Sequence, residues 1–467
     1  MQNEIIFKLF RTRKQPYVYD RHTKLFIELQ EDDYEELENV ENGKLRAEES
    51  VFISKHQQYG LFKPNTVRII EHPSTMIMEE YSNTRMRRLT LQVTQQCNLR
   101  CSYCAYSGDY SNQRTHADRR MTLETAKKAI DFLLERSIEL PEVNLAFYGG
   151  EPLLEFELIK ECVRYAKNNI EGKRLKFNLT TNGTLLTDGV VDFLQKNDFG
   201  ISISIDGSKA EHDTNRRFIN GEGTFDTIIR NINRIRERYP EYDRKISIMT
   251  TINPSTDLGC VLEYFSTDEI FSDKSIVFSE VVERNYNGDI SYDRNHYRVR
   301  NYEYTKMLFA LVGKLDYSHV SPLMIGSRSS ILLSQRSMTN HSALSPRMHH
   351  GGPCMPGLSR AFVRVDGAIL PCERVSETQD YFVIGTLSEG LNINKMKAIL
   401  NIGKLSENDC KNCWCLRHCM ICAAQVEFAS APTEEDKKLS CAKCSATCVA
   451  KLYELCVLNE FGFRNYS

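Results

Sequence analysis

The middle of the chain alternates short apolar runs with stretches whose apolar residues recur at helical spacing. From residue 88 to about residue 283, six β-prone runs are separated by such stretches, the first of which opens at Met121-Thr122. This alternation is typical of parallel strands joined by crossover helices, and it predicts a partial (β/α)6 barrel. The predicted strands are Leu89–Thr94, Val143–Tyr148, Phe177–Thr181, Ile201–Ile205, Ile246–Ile252 and Ile276–Val282.

The N-terminal residues follow a different pattern. The β-prone runs Tyr17–Asp20 and Leu25–Leu29 flank a turn-like segment, which predicts a hairpin. An acidic stretch from Glu31 to Leu45 follows, with helical character and a stop near Asn42-Gly43. We therefore expect a small αβ module at residues 1–85, ahead of the barrel.

Composition limits the classes of protein open to this chain. Its 467 residues, 41% of them hydrophobic, suffice for two or three domains of ~100–200 residues each. Sixty basic against sixty-two acidic residues leave a formal net charge of −2, which gives no reason to expect a nucleic-acid partner. No run approaches the ~18 apolar residues of a membrane-spanning helix, and the N-terminus lacks a signal-peptide pattern. We expect a cytoplasmic protein whose sixteen cysteines are mainly metal ligands rather than disulfides.

Three cysteines stand directly after the first predicted strand of the barrel. Cys97, Cys101 and Cys104 have the spacing C-x3-C-x2-C. Three thiolates can hold three corners of a cubane iron–sulfur cluster and leave the fourth iron without a protein ligand. A structural zinc site takes four ligands, usually in two separated pairs, and ferredoxin runs use another spacing. Neither alternative fits the triplet well.

The triplet, with Tyr103 before its last cysteine, resembles the cluster motif of the radical SAM family. The resemblance implies a [4Fe–4S] cluster whose open iron binds S-adenosylmethionine (SAM), and cleavage of SAM to a 5′-deoxyadenosyl radical. The run Gly149-Gly150-Glu151-Pro152 after the second strand resembles the family's GGEP motif, which contacts the SAM amino group. In most proteins the same four residues would be an ordinary turn.

The ends of the third and fourth strands add candidate SAM-binding residues. Asn182 follows the third strand, and Ser204 lies in the Ser-Ile-Asp-Gly run that ends the fourth. The resemblance implies that Ser204 and Arg216 hold the carboxylate and ribose region of SAM, and an arginine fork suits a carboxylate. The alternative is that Asp206-Gly207 forms only a turn and Arg216 a surface ion pair.

A second set of cysteines begins at Cys354. Residues 363–372 have the pattern of a hairpin with an Asp-Gly turn, and the hairpin ends in Cys372. The series that follows resembles the SPASM domain, which carries two auxiliary [4Fe–4S] clusters in enzymes that modify peptides or proteins. The resemblance assigns one cluster to Cys354, Cys372 and Cys422, and the other to Cys410, Cys413, Cys419 and Cys441. It implies three clusters in the whole chain.

This second set departs from the usual pattern. Cys419 and Cys422 are separated by two residues where the SPASM pattern has three, and Cys444 and Cys448 are additional. These two thiols could be replacement ligands, redox-active groups or buried side chains. A pair of zinc sites is the alternative for the whole set, although it leaves the barrel unexplained. We expect roles in the core or at the surface for Cys162, Cys260, Cys415 and Cys456.

Two other segments carry little chemical signal. Residues 284–348 contain helix-compatible apolar runs, at Tyr302–Leu315 and Ser330–Leu333, and are interpreted as a bridge. His349 and His350 stand beside a Gly-Gly-Pro sequence, which favours loop residues over metal ligands. We assign no chemical role to either segment.

The combined pattern predicts a radical SAM/SPASM enzyme of the peptide-maturase type. In such enzymes an N-terminal hairpin with helices often resembles the RiPP recognition element, a winged-helix-like module that binds a precursor's leader as an added strand. The alternative is an N-terminal extension packed against the barrel. The expected parts of this α/β fold are residues 1–85 (leader-binding module), 86–283 (TIM-like partial barrel), 284–348 (bridge) and 349–467 (SPASM domain).

The expected reaction is thioether formation from a cysteine of a ribosomally made precursor peptide. If only Cys354, Cys372 and Cys422 hold their cluster, one iron is open to the thiolate of the substrate. Carbon–carbon or carbon–oxygen crosslinking, epimerisation and sulfatase-type formylglycine formation are the alternatives within the enzyme class, and a leader-binding scaffold is the alternative outside it. Expected partners are the precursor peptide and an electron donor such as flavodoxin or ferredoxin, with no nucleic acid and no membrane.

Overall fold

A ten-stranded sheet runs through the centre of the protein. The computed structural model describes residues 5–281, 284–288, 290–339 and 344–463. The strands are β1 (Phe7–Arg11), β2 (Pro16–Asp20), β3 (Phe26–Glu28), β4 (Ile69–Ile70), β5 (Arg88–Thr94), β6 (Glu142–Gly149), β7 (Arg174–Thr181), β8 (Gly200–Ser204), β9 (Ser247–Ile252), β10 (Ser275–Glu280), β11 (Arg347–Met348), β12 (Ala361–Val363), β13 (Ala368–Leu370), β14 (Gly385–Thr386) and β15 (Gly390–Leu391). The helices are α1 (Glu31–Glu41), α2 (Val51–Gln57), α3 (Met78–Thr84), α4 (Leu123–Glu135), α5 (Phe156–Asn169), α6 (Asp188–Lys196), α7 (Lys209–Asn215), α8 (Phe225–Arg238), α9 (Pro240–Asp243), α10 (Leu258–Thr267), α11 (His296–Leu311), α12 (Pro322–Thr339), α13 (Ile393–Leu400), α14 (Glu407–Asn412) and α15 (Glu434–Glu460).

The six strands β5 to β10 are parallel, lie side by side in chain order, and are joined by helices. Each corresponds to one predicted run. The ends differ slightly: Ile205 and Ile246 lie outside β8 and β9, and Val282 lies outside the described residues. Strand β5 is buried along nearly its whole length, as is typical of a parallel strand covered on both faces. The carboxyl ends of the six strands therefore meet at one edge of the sheet.

The hairpin of the second cysteine set extends this same sheet. Strand β12 pairs in parallel with β5, and β13, β14 and β15 follow in antiparallel order. Gly367 forms the predicted turn with a φ of +87°, a backbone conformation that favours glycine. The sequence predicts the hairpin but not its pairing with β5. This pairing places the second cysteine set directly beside the six parallel strands.

The N-terminal module is a three-stranded antiparallel sheet with β3 at one edge. Its predicted hairpin is β2 and β3, and the predicted acidic helix is α1, which ends at Glu41 ahead of Gly43 with a φ of +71°. Tyr17 and Tyr19 of β2 pack against Leu452 and Leu455 of α15. The module is thus joined to the C-terminal region through an apolar contact.

The next features are the bridge segment and the two adjacent histidines. The helix predicted at residues 302–315 is the second half of α11, and residues 330–333 lie in α12. His349 and His350 lie outside helices and strands, as expected, but both are buried. The Nε2 of His349 accepts the amide N–H of Gly403 at 2.9 Å.

None of the helices among the described residues has the length and apolar character needed to cross a membrane.

Candidate functional site

The cysteine triplet lies in the loop after β5, at the edge where the parallel strands end. The segment after α7 holds this loop by backbone hydrogen bonds. The amide of Arg100 donates to the carbonyl of Arg217 at 2.8 Å, and the amide of Ser102 donates to the carbonyl of Asn215 at 2.9 Å. The cysteines are therefore positioned by two different βα connections.

Two of the three sulfurs face backbone amides. The N–H of Leu99 lies 3.4 Å from Cys97 Sγ, and the N–H of Tyr106 lies 3.4 Å from Cys104 Sγ. The Nε2 of His116 lies 3.7 Å from Cys104 Sγ. Hydrogen bonds of this kind stabilise thiolates and help to set the reduction potential of an iron–sulfur cluster.

Burial raises the pKa of all three thiols. The pKa rises to about 12 for Cys97 and to about 11 for Cys101, and the pKa of Cys104 is also raised. Thiols in this environment keep their protons until a metal replaces them, because the thiolate is the ligand. Loading of the triplet should release protons.

Arg216 reaches the third sulfur and belongs to a buried ion pair. Its Nε donates to a carboxylate oxygen of Asp206 at 2.8 Å, and its Nη1 lies 3.9 Å from Cys101 Sγ. The Tyr103 hydroxyl donates to the same oxygen of Asp206. The alternative of a surface ion pair is wrong, because Arg216 is only 8% exposed. Ser204 is half-buried at the end of β8.

The Glu151 carboxylate is the centre of a second buried network. One oxygen accepts the Thr181 hydroxyl at 2.7 Å and the Leu153 amide at 3.0 Å, and the other accepts the Asn182 amide at 2.7 Å. The Nδ2 of Asn182 lies 4.0 Å from Cys97 Sγ. Burial raises the pKa of Glu151 to about 7. Since each carboxylate oxygen can accept two hydrogen bonds, one acceptor position is left for a further donor.

The two glycines before Glu151 let β6 approach the cysteine loop closely. A Cβ on Gly150 would stand 2.1 Å from the Gln96 carbonyl oxygen and 3.0 Å from the Cys97 nitrogen. A Cβ on Gly149 would stand 2.1 Å from the Thr94 carbonyl oxygen. The GGEP run and the cysteine loop therefore form one packed unit, which a simple turn would not require.

The second cysteine set separates into two groups, and the first contains Cys354, Cys372 and Cys422. Burial raises the pKa of Cys372 to about 11, and the nearby Cys422 thiol adds to this rise. Burial also raises the pKa of Cys422, and Cys354 contributes to it. A Cβ on Gly352 would stand 2.4 Å from the Met420 carbonyl oxygen, so glycine is required for the Cys354 segment to lie on the Cys422 turn.

The second group surrounds a buried lysine. The Nζ of Lys437 lies 3.2 Å from Cys410 Sγ, 3.8 Å from Cys441 Sγ and 2.8 Å from Ser406 Oγ. Burial raises the pKa of Cys441, and Cys410 and Cys413 raise it further. Three of the four thiols assigned to the second auxiliary cluster thus lie in one neighbourhood.

The additional thiols continue this second group. Cys413 and Cys415 have their sulfurs 3.4 Å apart, and Cys419 and Cys444 have theirs 3.6 Å apart. Cys448 lies near both Cys415 and Cys444, and its Sγ is 3.5 Å from the His418 carbonyl oxygen. Cys415 is buried as expected, but its contact with Cys413 was not predicted.

The chemistry of the donors fits iron–sulfur clusters. Cysteine thiolates are the usual ligands of such clusters, and most of these thiols are buried or half-buried. Within the part of the chain that the structure describes, no three His, Cys, Asp or Glu side chains are arranged to hold a single metal ion. Three thiolates can hold three corners of a cubane cluster, whereas a structural zinc site takes four ligands.

One buried ion pair near the triplet was not found from the sequence. The Nε of Arg114 donates to Glu377 at 3.0 Å, and the side-chain amide of Gln92 donates to the same oxygen at 2.6 Å. The Arg114 guanidinium also lies 3.5 Å from the centre of the Tyr106 ring. Arg114 and Glu377 are 263 positions apart, and no sequence spacing relates them. The pair ties the cysteine loop to the region of the second set.

Three thiols lie at the carboxyl edge of the parallel strands, beside a buried glutamate and a buried arginine, and this arrangement fits an iron–sulfur cluster. Residues 91–257 match the model of the Radical SAM superfamily. The chain thus contains a radical SAM domain, and such a domain implies a [4Fe–4S] cluster and bound SAM.

Relatives extend the similarity beyond this domain. An uncharacterized protein of Methanocaldococcus jannaschii is 37% identical over 144 residues, 31% of this chain and 46% of that protein. The cysteine-type anaerobic sulfatase-maturating enzyme of Clostridium perfringens is 26% identical over 337 residues, 69% of this chain and 84% of that enzyme. The chain thus spans less than half the length of the first relative and most of the second.

A solved structure shares the fold. Native anSMEcpe with bound AdoMet superposes with a TM-score of 0.57 at 22% identity, covering 80% of this chain and 99% of that one. This likeness concerns the fold, and it extends over most of the chain.

Proposed function

We propose that this protein is a peptide maturase that forms a thioether from a cysteine of a ribosomally made precursor peptide, using SAM and three [4Fe–4S] clusters. The arrangement of the second cysteine set carries the proposal. Cys354, Cys372 and Cys422 lie together, whereas Cys444 and Cys448 contact the other group. Three protein thiols leave a fourth position on their cluster for a substrate thiolate.

When bound, the triplet's cluster and SAM supply a 5′-deoxyadenosyl radical that removes a substrate hydrogen atom, and the auxiliary clusters accept the electron left over. The chain's own residues orient SAM. Glu151 offers its remaining acceptor position to the amino group, next to Asn182. Arg216, fixed by Asp206, offers its outer N–H groups to the carboxylate near Ser204. The surrounding barrel excludes water.

The overall reaction balances as an oxidation of the peptide. The carbon loses a hydrogen atom to the deoxyadenosyl group, and the sulfur loses a proton. Formation of the carbon–sulfur bond releases one electron from the peptide, and a cluster held by the second cysteine set would be its acceptor when bound. The first electron, which cleaves SAM, comes from a donor such as flavodoxin or ferredoxin.

Formylglycine formation is the second candidate reaction. The similarity to the sulfatase-maturating enzyme of Clostridium perfringens along most of that protein favours it. The two reactions leave different products. Thioether formation keeps the cysteine sulfur in the peptide, whereas conversion of a cysteine to formylglycine removes it.

Mass spectrometry of a cysteine-containing precursor separates these reactions. The anaerobic enzyme is incubated with SAM, a reductant and the precursor, and the product is then treated with an alkylating reagent. We expect the loss of two hydrogen atoms per crosslink and one alkylatable thiol fewer, with all sulfur retained. Loss of sulfur would establish formylglycine formation instead. A modified peptide with every thiol still alkylatable would exclude both and favour a carbon-centred crosslink or epimerisation.

The edge of the N-terminal sheet is the proposed leader site. Leu25 and Leu29 of the β3 region hydrogen-bond to Asp20 and Pro16 on the β2 side. Because antiparallel strands alternate their bonding partners, the backbone N–H and C=O groups of Glu28 face the open side of β3. A leader could add there as a fourth strand, as in a winged-helix-like recognition element.

A proline at this edge tests the leader site without removing the module. Deleting residues 1–85 would expose the face of α15 that contacts β2, so a single substitution is the sharper experiment. Glu28→Pro removes one outward N–H and leaves the ladder to β2, while Glu28→Ala keeps the N–H. We expect weaker leader binding by fluorescence anisotropy for Glu28→Pro alone. Equal affinity in both variants and in the wild type would reject the site.

A further inference from the structure

Lys437 lies on α15 with its charge buried among sulfur atoms. The side chain is 1% exposed. Its ammonium donates to Ser406 Oγ at 2.8 Å and to Cys410 Sγ at 3.2 Å, and Cys441 Sγ lies at 3.8 Å. Both cysteines belong to the set assigned to the second auxiliary cluster.

A buried ammonium is costly unless an anion faces it. Within the described residues, no carboxylate lies within ion-pair distance of Lys437. The exposed lysine next to it serves as a comparison. Its neighbour Lys438 has two carboxylates, Asp409 at 3.0 Å and Glu434 at 2.7 Å. The charged partners available to Lys437 are therefore Cys410 and Cys441, once they are thiolates.

We propose that Lys437 is a positioning residue that holds the Cys410 and Cys441 thiolates and makes the cluster on them easier to reduce. The inference rests on the proposed function, since it needs the auxiliary cluster there. Net charge and hydrogen bonds to sulfur are among the factors that set the reduction potential of such clusters. A fixed positive charge within hydrogen-bond distance of two ligand sulfurs favours the state with the extra electron.

This role matches what the reaction needs from its second auxiliary cluster. Thioether formation releases one electron from the peptide, and a cluster that is easier to reduce is the better acceptor. The cluster on Cys354, Cys372 and Cys422 has a different cation nearby. Arg284 lies on that side and donates to the Ala424 carbonyl, with an electrostatic effect on Cys422. The two auxiliary clusters should therefore differ in potential.

Potentiometric titration of the anaerobic holoenzyme, followed by electron paramagnetic resonance, tests the proposal. Lys437→Met keeps the length of the side chain and removes the charge, whereas Lys437→Arg keeps the charge. Lys438→Met is the matched control on the next residue, at the surface. We expect one cluster potential to become more negative in Lys437→Met, to stay near wild type in Lys437→Arg, and to be unchanged in Lys438→Met.

Iron content shows whether the charge of Lys437 or the packing of its side chain supports the cluster. Unchanged potentials in Lys437→Met at full iron content would overturn the proposal, and so would equal iron loss in the Met and Arg variants. Iron loss in Lys437→Met alone would support it, because the larger Lys437→Arg change disturbs the packing at least as much but keeps the charge. If Cys410→Ala and Cys441→Ala both keep the iron content of the wild type, these cysteines hold no cluster. The auxiliary-cluster part of the proposed function would then fail as well.

Discussion

The two cysteine regions hold their thiols in different ways. In the triplet after β5, the sulfurs of Cys97 and Cys104 accept backbone N–H groups, and the third sulfur faces Arg216. In the C-terminal group, sulfurs contact one another, as Cys413 and Cys415 do at 3.4 Å, and a lysine lies among them. The triplet has three thiols in one short loop, whereas the C-terminal group has more thiols than one cluster needs.

The largest expected effect is the loss of the triplet itself. Replacing Cys97, Cys101 or Cys104 with alanine should abolish SAM cleavage, because the cluster proposed to bind SAM, beside Glu151 and Arg216, needs all three thiolates. Iron should fall by one cluster's worth while the C-terminal clusters remain. Cys260→Ala, at an exposed cysteine elsewhere, is the control. Undiminished 5′-deoxyadenosine production in any triplet variant would contradict the assignment.

A backbone prediction tests the packing around the triplet. Gly150→Ala should destabilise the protein by about 1–3 kcal/mol, the usual cost of overpacking, and lower the SAM cleavage rate. The new methyl group would stand 2.1 Å from the Gln96 carbonyl oxygen and force the cysteine loop to move. Gly351→Ala, in the second region, has no atom within 4 Å of its Cβ and should be neutral. Thermal melts and iron content measure both, and equal behaviour of the two variants would count against the close packing.

The third prediction is a pH dependence carried by Glu151, whose folded pKa lies near 7 against an ordinary value of 4.5. Because the folded pKa is raised, protonated Glu151 contributes to the stability of the folded protein. This contribution is complete below pH 4.5 and is lost as the pH rises through about 7. Binding of the SAM amino group, in contrast, favours the deprotonated form of Glu151. Affinity of wild type for SAM should therefore increase with pH around 7, measured by calorimetry.

Glu151→Gln removes the titrating group and supplies the control for this dependence. Its SAM affinity should be flat with pH and weaker by about 1.5–3 kcal/mol, the usual range for a hydrogen bond to a charged group. The same pH slope in wild type and variant would show that another residue titrates. Unchanged affinity would show that Glu151 does not hold the amino group.

The two regions also differ in how far the sequence could predict them. Cys97, Cys101 and Cys104 lie within one loop after one strand, so their spacing alone predicts a common site. The C-terminal groups combine residues from distant segments, and the β12–β5 pairing that sets them beside the barrel has no local signal. The contact between Cys415 and Cys413 and the buried position of Lys437 depend on how α15 packs. Periodicity predicts that helices form, but not which face meets which loop.

The smallest effect is expected for substitution of the additional thiol Cys444. This prediction tests whether the two C-terminal cysteine groups are separate. Cys444 contacts Cys419 at 3.6 Å and belongs to the Lys437 group, so it is not placed to be the fourth ligand beside Cys422. Cys444→Ser should leave thioether formation within about a factor of two of wild type, since Cys444 is only half-buried and a typical point substitution costs about 1 kcal/mol. Cys422→Ser should instead lose the modified product, because it removes one of three ligands. The readouts are iron content and mass spectrometry of the precursor. If Cys444→Ser abolishes the product as Cys422→Ser does, Cys444 completes the first cluster, and the substrate thiolate has no open position there.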